Sequence, residues 1–508
     1  MSAASEAKDK FARFKRQPFR PGQEEAITDI LEGTRKVTVV VAPTGTGKSL
    51  IGMAAGATYD KACYLCSSKQ LQYQLTSDFK EAEYMMGKNN FPCGHDLTRS
   101  ADLCLHTRMT PCKGKARCPY EIHKRRVLAH PLQILNFAYL LNESNYVGKF
   151  SGYPLIVSDE ADVLEGLLTG FIELSLSRAR LESLGLTPPR RKTATAKDGL
   201  AAWREWAEQV AQEKLAVRMA KLQRRIARLS PDDSLSPEDM RAIQEYRALE
   251  SLAAKLQMFS AHMDDTWIFQ ESERQGKVER WVFQPTWLTP ALSEEYFFRH
   301  GARHVLMSAT FPPKAVLAAT LGLQTGDIEY IELPSTFPAA NRPVLLHPVA
   351  DMAMKSFEGE LPKLLRGIEN ILAKHPREKG MIHTTSWRLN AAVMSLNLPR
   401  LVSHNGSDKD RALEAFRGSR DGVFVSPSSM RGVDLPDDDC RFIIISKAPF
   451  QSLGDKLVSS RVYGSGLGAF WYRAIAAQDI VQASGRGVRH AGDYCTTYLL
   501  DRQIERLL

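Results

Sequence analysis

The sequence predicts an α/β protein with two sheet-forming regions, each made of buried parallel strands and flanking helices. Eight apolar runs end in polar or glycine-rich turns: Val37–Ala42, Ala62–Ser67, Leu155–Ser158, His304–Ser308, Gly380–Thr384, Val423–Ser426, Phe442–Ser446 and Tyr494–Leu500. Their continuous apolar character indicates strands that are covered on both faces. Helical stretches separate many of the runs, and the proline-rich segment Leu333–Pro348 divides them into two groups.

The bulk composition limits the possible functions. The chain has 508 residues, enough for three or four domains, and 44% of them are hydrophobic. The net charge of +9 favours a polyanionic partner. The sequence contains no long uncharged apolar run, so no membrane span is predicted. Met1–Arg20 lacks the apolar core of a secretory signal. We therefore expect an intracellular protein, in which clustered cysteines bind metal rather than form disulfides.

The first motif along the chain is Phe19-Arg20-Pro21-Gly22-Gln23. The carboxamide of Gln23 can pair with both the donor and the acceptor edge of adenine, and the ring of Phe19 can stack on the base. A plain helix start accounts for the same residues when they are taken alone.

A phosphate-binding loop follows the first predicted strand. Its residues are Ala42, Pro43, Thr44, Gly45, Thr46, Gly47, Lys48 and Ser49, with Ala42 in place of the usual first glycine. The glycines let backbone N–H groups curl around phosphates. Lys48 is expected to reach the β- and γ-phosphates of ATP, and Ser49 to ligate Mg²⁺ at the start of a helix.

Four of the eight cysteines, Cys93, Cys104, Cys112 and Cys118, come next. The intervals between them are ten, seven and five residues, which match neither the close cysteine pair of zinc modules nor ferredoxin spacing. Spacing alone therefore names no metal, and His95 and His106 remain possible ligands. A basic group that could grip phosphates surrounds them: Lys113, Lys115, Arg117, Lys124, Arg125 and Arg126.

An acidic box, Asp159-Glu160-Ala161-Asp162, follows the strand at 155–158. Carboxylates at the end of a parallel strand lie at the edge of the sheet that carries the phosphate loop. Asp159 is expected to hold Mg²⁺, and Glu160 to orient and deprotonate the attacking water.

A helical insertion is predicted between Glu165 and about Arg274. Apolar residues recur at helical spacing in Lys214–Leu229, among basic residues that form either a solvated face or a track for a phosphate backbone. Ser236 then caps a helix, with Pro237 at its first position, that runs to about Phe259. The two segments predict an antiparallel helical hairpin.

Three motifs of the C-terminal part each give only a weak indication of function when they are taken alone. Ser308-Ala309-Thr310 ends a strand and could relay the nucleotide state to a second domain. Gly432 and Asp434 follow the strand at 423–426. Gln482 precedes Arg486 and Arg489, which would share one face of a helix and reach the γ-phosphate from the second domain.

This ordered set of motifs, from Phe19 to Arg489, resembles the superfamily 2 helicases. The four cysteines between the phosphate loop and the acidic box, and the helical insertion after that box, resemble the XPD/DinG iron–sulfur helicases. The resemblance implies catalytic roles for Lys48, Asp159, Glu160, Gln482, Arg486 and Arg489, nucleotide contacts from Gly432 and Asp434, and a [4Fe–4S] cluster on the four cysteines, with zinc as the alternative.

The resemblance also implies a domain order. RecA-like motor domain 1 would comprise residues 1–84, 131–164 and 275–333, interrupted by a cluster insertion at 85–130 and a helical Arch at 165–274; motor domain 2 would comprise 334–508. It further implies a monomeric, cytoplasmic motor of bacterial or phage origin that moves 5′→3′ on single-stranded DNA and opens forked DNA.

Two motifs depart from that family. Asp162 stands where the family has histidine, and Ser308-Ala309-Thr310 is closer to the DEAD-box form. Both favour an RNA-dependent ATPase, which is the first alternative. The second alternative is a metal-stabilised nucleic-acid-binding scaffold with an inert motor.

Overall fold

Two fully parallel sheets organise the chain, as the sequence predicts. The structure is a computed structural model, and it describes residues 2–15, 17–94, 96–104, 117–189, 199–229, 236–274, 277–427 and 435–507. All eight predicted strands are present, with ends that differ by no more than a few residues. The two sheets confirm the α/β class and the division near the proline-rich segment.

The first sheet has seven strands in the order β10-β1-β9-β5-β2-β4-β3. Its strands are β1 Val37–Val41, β2 Ala62–Cys66, β3 Glu83–Tyr84, β4 Leu132–Asn136, β5 Tyr153–Asp159, β9 Gly301–Ser308 and β10 Ile328–Glu332. The central strands are buried on both faces because helices cover them. The order places β9 between β1 and β5, so the carboxyl ends of these three strands meet at one edge.

Short helices cover this sheet. They are α1 Ala3–Asp9, α2 Gln23–Glu32, α3 Lys48–Ala57, α4 Lys69–Asp78, α5 Pro119–Ala129, α6 Phe137–Asn142, α7 Leu164–Ile172, α12 Pro290–Tyr296 and α13 Lys314–Thr320.

The second sheet has six strands in the order β11-β16-β15-β12-β14-β13. Its strands are β11 Val344–Ala350, β12 Gly380–His383, β13 Leu401–Ser403, β14 Val423–Ser426, β15 Phe442–Ile445 and β16 Thr496–Asp501. Its helices are α14 Phe357–Lys374, α15 Trp387–Met394, α16 Lys409–Gly418, α17 Lys456–Gly464 and α18 Gly468–Ser484.

A third element, which the sequence analysis missed, is a small antiparallel sheet in the order β6-β8-β7. Its strands are β6 Leu174–Ser177, β7 Trp267–Arg274 and β8 Lys277–Pro285. Phe283 of this sheet packs against Phe259 and Trp203, with ring centroids 5.0 and 5.1 Å apart. The predicted domain limit at residue 274 falls inside this sheet, because β7 and β8 pair with each other.

The helical hairpin is present next to this sheet. It consists of α10 Gln212–Ile226 and α11 Pro237–His262, preceded by α8 Arg178–Ser183 and α9 Gly199–Glu205. Ser236 and Asp239 form the reciprocal capping box that starts α11, which confirms the predicted helix start. Among the described residues, no helix is long and apolar enough to cross a membrane.

Candidate active site

The phosphate loop connects β1 to α3 at the carboxyl edge of the first sheet. Gly45 and Gly47 adopt positive φ angles of 88° and 80°, which side chains disfavour. Thr46 Oγ1 donates to Pro43 O over 2.8 Å, and Lys48 Nζ donates to Ala42 O over 3.2 Å. The predicted residues therefore form one loop at the N-terminus of α3, an arrangement that suits an anion.

Asp159 lies at the end of β5 and is 4% exposed. The Tyr64 hydroxyl, from the neighbouring strand β2, donates to Asp159 Oδ2 over 2.8 Å, and Ser49 lies close to the same hydroxyl. Burial raises the pKa of the Asp159 carboxyl, and the Lys48 ammonium partly opposes this. Ser49 and Asp159, the predicted magnesium ligands, thus meet at one tyrosine hydroxyl, and this oxygen donor set suits Mg²⁺.

Glu160 follows in a strained conformation, with a φ of 52° in the left-handed region. A residue in this backbone region raises the free energy of the folded state by about 1–3 kcal/mol, which contacts with the surroundings must offset. Its N–H donates to Asp159 Oδ1 over 2.9 Å, and the Ser67 hydroxyl donates to its carboxylate. The local turn therefore determines where the Glu160 side chain points.

Asp162 joins the acidic box to the second domain. Its carboxylate accepts from Ser308 Oγ over 2.7 Å and from Gln482 Nε2 over 3.1 Å. Gln482 Nε2 also donates to Thr310 Oγ1 over 2.7 Å, and Gln478 Nε2 donates to Thr310 O over 3.3 Å. The residues predicted to relay the nucleotide state between domains are in direct contact.

The predicted shared helical face of Arg486 and Arg489 is wrong. Helix α18 ends at Ser484, and a 3₁₀ turn at Gly485–Gly487 leads into extended backbone at Val488. Gly487 packs so tightly on Cys495 that a Cβ atom on it would overlap the Cys495 sulfur. Both arginines nevertheless line the same cleft.

That cleft has a volume of about 510 Å³ and lies between the two sheets. It is lined by Lys48, Glu160, Asp162, Thr310, Arg486 and Arg489, among other residues. Its size suits a small-molecule ligand. Gly432 and Asp434 lie outside the described residues.

Gln23 is held by the phosphate loop itself. It is 2% exposed, its Nε2 donates to Thr46 O over 2.7 Å, and its Oε1 accepts from Arg20 N over 2.8 Å. Arg20 also donates to Gly45 O. The half-buried ring of Phe19 lies 4.7 Å from the Lys8 ammonium. The contacts of Phe19 and Gln23 with adenine remain predictions.

Phe337 is a cleft residue that sequence reasoning missed. It lies between β10 and β11, packs against the core of the second domain and lines the cleft. Its ring rests on Gly45, where a Cβ atom would overlap it. A single aromatic residue in a proline-rich linker gives no indication in the sequence that it lines a cleft.

Three of the four clustered cysteines are described, and Cys112, His95 and His106 lie outside the described residues. Gly94 brings Cys93 to the backbone of Cys118, since a Cβ atom on Gly94 would lie 2.8 Å from Cys118 Cα. Arg247 of α11 donates to Cys104 O over 2.8 Å. The cysteine segment and the helical hairpin are therefore in contact.

The other described cysteines are core residues, as expected. They are Cys63, Cys66, Cys440 and Cys495, all buried. Burial raises the pKa of the Cys66 thiol to about 12.

Lys113 and Lys115 of the predicted basic group lie outside the described residues, and two of its described members form ion pairs. Lys124 is 4% exposed and forms an ion pair with Glu143 at 2.5 Å, and Arg126 pairs with Glu83 at 3.0 Å. Lys124 is buried because it lies one helical turn after Tyr120, whose hydroxyl also contacts Glu143. Arg125 stays exposed.

Comparisons with known proteins agree with this arrangement. The DEAD/DEAH box helicase family matches residues 20–196, and the helicase C-terminal domain family matches residues 370–506. The ATP-dependent DNA helicase CHL1 of Saccharomyces cerevisiae (strain YJM789) is 26% identical over 207 residues, or 36% of this chain. That match spans only 24% of the yeast protein.

Solved structures extend the likeness over nearly the whole chain. An XPD helicase aligns with a TM-score of 0.60 and 15% identity, covering 98% of this chain and 96% of its own. Xpd4 of S. tokodaii aligns with a TM-score of 0.57 and 15% identity, covering 96% of each chain. This likeness confirms two RecA-like domains. With family matches in both domains, the chain is a helicase that contains a DEAD/DEAH box domain and a helicase C-terminal domain, and it shares its fold with the XPD helicases.

Proposed function

We propose that this protein is an ATP-dependent DNA helicase that moves 5′→3′ on single-stranded DNA and separates forked duplexes. One observation carries the ATPase part of the proposal. Lys48 and Glu160 of the first domain and Arg486 and Arg489 of the second line a single cleft. This is the constellation that phosphoryl transfer requires, because that reaction depends on positioning and on neutralising charge.

Each residue has a distinct task in the proposed hydrolysis. The phosphate loop and Lys48 bind the phosphates, and Glu160 positions water and accepts its proton. Arg486 and Arg489 offset the negative charge that develops on the transferred phosphoryl group. Bound at Ser49 and Asp159, Mg²⁺ would supply charge neutralisation.

The contacts of Asp162 support coupling between hydrolysis and movement. Gln482 from the second domain donates to both Asp162 and Thr310 of the first. A change at the acidic box therefore reaches the second domain directly through the hydrogen bond between Asp162 and Gln482. This link also supports an active motor over an inert scaffold.

We further propose that Cys93, Cys104, Cys112 and Cys118 hold a [4Fe–4S] cluster, with zinc as the alternative metal. The close approach of Gly94, the residue after Cys93, to the backbone of Cys118 supports a shared site. Thiolate donors suit both metals, so the donor set alone does not choose between them.

The nucleic-acid substrate can be tested with the intact protein. We expect single-stranded DNA to stimulate ATP hydrolysis more than RNA homopolymers, and unwinding to require a 5′ tail. Stimulation by RNA alone would favour the RNA-dependent ATPase, which Asp162 and Ser308–Thr310 suggest. Unwinding of substrates with only 3′ tails would contradict the proposed polarity.

The catalytic assignment is tested by matched variants. Lys48→Ala and Glu160→Gln should each abolish hydrolysis, while Glu414→Gln, an exposed glutamate on α16, should leave it intact. Arg486→Ala should lower kcat by about 10³- to 10⁵-fold. Tight DNA binding without ATPase activity in the wild-type protein would favour the inert scaffold.

The metal is tested by the visible spectrum of anaerobically purified protein. A brown preparation with broad visible absorbance is expected for iron–sulfur, and a colourless preparation that contains zinc would refute it. Cys118→Ser should lose the chromophore, whereas Cys440→Ser, at a buried cysteine of the second domain, should keep it.

A further inference from the structure

We infer that Ser67 restrains Glu160 in the resting enzyme and that bound single-stranded nucleic acid removes this restraint. The inference rests on the proposed function, in which Glu160 is the base for ATP hydrolysis. It assigns Ser67 as a positioning residue that acts through Glu160.

The contact between the two residues is direct. Ser67 follows the last residue of β2, and its hydroxyl donates to Glu160 Oε2. Both side chains line the cleft between the two domains. The backbone of Glu160 is held by its own N–H bond to Asp159 Oδ1, and the Ser67 hydroxyl holds its side chain.

This hydrogen bond opposes catalysis through geometry. A carboxylate oxygen that accepts from Ser67 is directed towards the end of β2 and is less free to accept from an attacking water. Hydrolysis is therefore slow while the bond persists.

Ser67 belongs to a segment that an external partner can reach. Residues 67–70, which comprise the short connection after the buried strand β2 and the first two residues of helix α4, are exposed. Lys69 Nζ donates to Asn90 Oδ1 over 2.9 Å, which connects this segment to the insertion that contains the cysteines. Ser68, the next residue, caps α4 by accepting from Leu71 N over 3.2 Å.

The two ends of this segment thus have different partners. Its first residue contacts the catalytic base, and its third contacts the insertion that carries the basic group predicted to grip phosphates. A strand that engages the exposed residues or the insertion displaces Ser67 from Glu160. The ATPase then accelerates only when nucleic acid is in place.

The test compares steady-state ATPase rates with and without oligo(dT). Ser67→Ala should raise the unstimulated kcat about three- to tenfold, the factor that one hydrogen bond corresponds to. The stimulated kcat and the KM for ATP should change little, so the ratio of stimulated to unstimulated rates falls. Ser67→Thr retains a hydroxyl and should restore the low unstimulated rate.

Ser395→Ala is the control, because it removes an exposed serine hydroxyl of the second domain at a position that does not line the cleft. It should leave the unstimulated rate at the wild-type value. If DNA stimulates the wild-type ATPase and Ser67→Ala has the same unstimulated rate as the wild type, this result overturns the proposed restraint of Glu160 by Ser67 but not the proposed function. A wild type without ATPase activity under any condition would overturn the proposed function as well.

Discussion

Arg461 of the second domain is buried against Glu165 of the first, with 2.6 Å between guanidinium Nη2 and carboxylate Oε1. Its Nε donates to Thr286 O over 2.6 Å. The rings of Trp287 and Trp471 lie 4.7 and 5.0 Å from its guanidinium carbon. One arginine therefore joins both domains close to the acidic box.

Replacing Arg461 with alanine should destabilise the protein by about 3–5 kcal/mol, because Glu165 loses its partner and Thr286 O loses its donor. Chemical denaturation monitored by tryptophan fluorescence measures the change in the free energy of unfolding. Arg473→Ala, at an exposed position of α18, is the control and should change it by less than about 0.5 kcal/mol. Equal stability of the two variants would contradict the importance of the pair.

Tyr64→Phe removes only the hydroxyl that donates to Asp159 and lies close to Ser49. We expect the Mg²⁺ concentration needed for half-maximal ATPase activity to rise about tenfold, since a charged hydrogen bond contributes about 1.5–3 kcal/mol. A magnesium titration of the ATPase measures this shift. Tyr153→Phe is the matched control: that buried hydroxyl bonds Gln133 Oε1 over 2.6 Å, away from the cleft. A shift of equal size in both variants would indicate a general packing effect.

Gly487→Ala should both destabilise the second domain and slow hydrolysis. The added methyl group would overlap the Cys495 sulfur and lie 2.6 Å from Cys495 Cβ, which displaces the neighbouring Arg486. Overpacking of this kind costs about 1–3 kcal/mol. Gly485→Ala is the control, because no atom of the described residues lies within 4 Å of its added methyl group. Thermal unfolding and kcat should distinguish the two, and a tolerated Gly487→Ala would contradict the contact.

Buried histidines make stability depend on pH. His304 packs between the rings of Phe297 and Phe298, and burial lowers its pKa to about 4 from an unfolded value of about 6.5. The unfolded state therefore binds more protons between these values, so stability is complete above pH 6.5 and falls as the pH decreases towards 4. Between pH 7 and pH 5 this residue accounts for a loss of about 2 kcal/mol.

Urea denaturation at pH 7 and pH 5 tests the contribution of His304. His304→Gln should reduce the difference in unfolding free energy between the two pH values. His300, whose pKa burial also lowers to about 4, maintains part of the difference. His347→Gln, at an exposed position of β11, should leave the difference unchanged. If His304→Gln shows the same difference in unfolding free energy between pH 7 and pH 5 as the wild type, His304 is not a source of the pH dependence.

Much of the fold follows from local patterns in the sequence. Apolar runs predict the eight strands because strands buried on both faces need continuous apolar residues. Ser236, Pro237 and Asp239 predict the start of α11 because capping depends on residues that are close in sequence. The phosphate loop can be predicted for the same reason, because its residues are consecutive in the sequence.

What the sequence analysis missed depends on contacts between distant residues. Tyr64 reads as a core residue of β2 until the strand order places β2 beside β5 and its hydroxyl beside Asp159. The small sheet needs β6 to pair with β8 about a hundred residues later. The shared face of Arg486 and Arg489 was wrong because Gly485 and Gly487 allow the helix to end between Gln482 and these arginines.

The contact between Arg247 and Cys104 has a consequence for biosynthesis. The two residues are separated by 143 positions. Domains fold progressively from the N-terminus during synthesis, so the cysteine segment leaves the ribosome well before α11 exists. The contact between Cys104 and the hairpin therefore forms late in synthesis, after the cysteine segment has already left the ribosome.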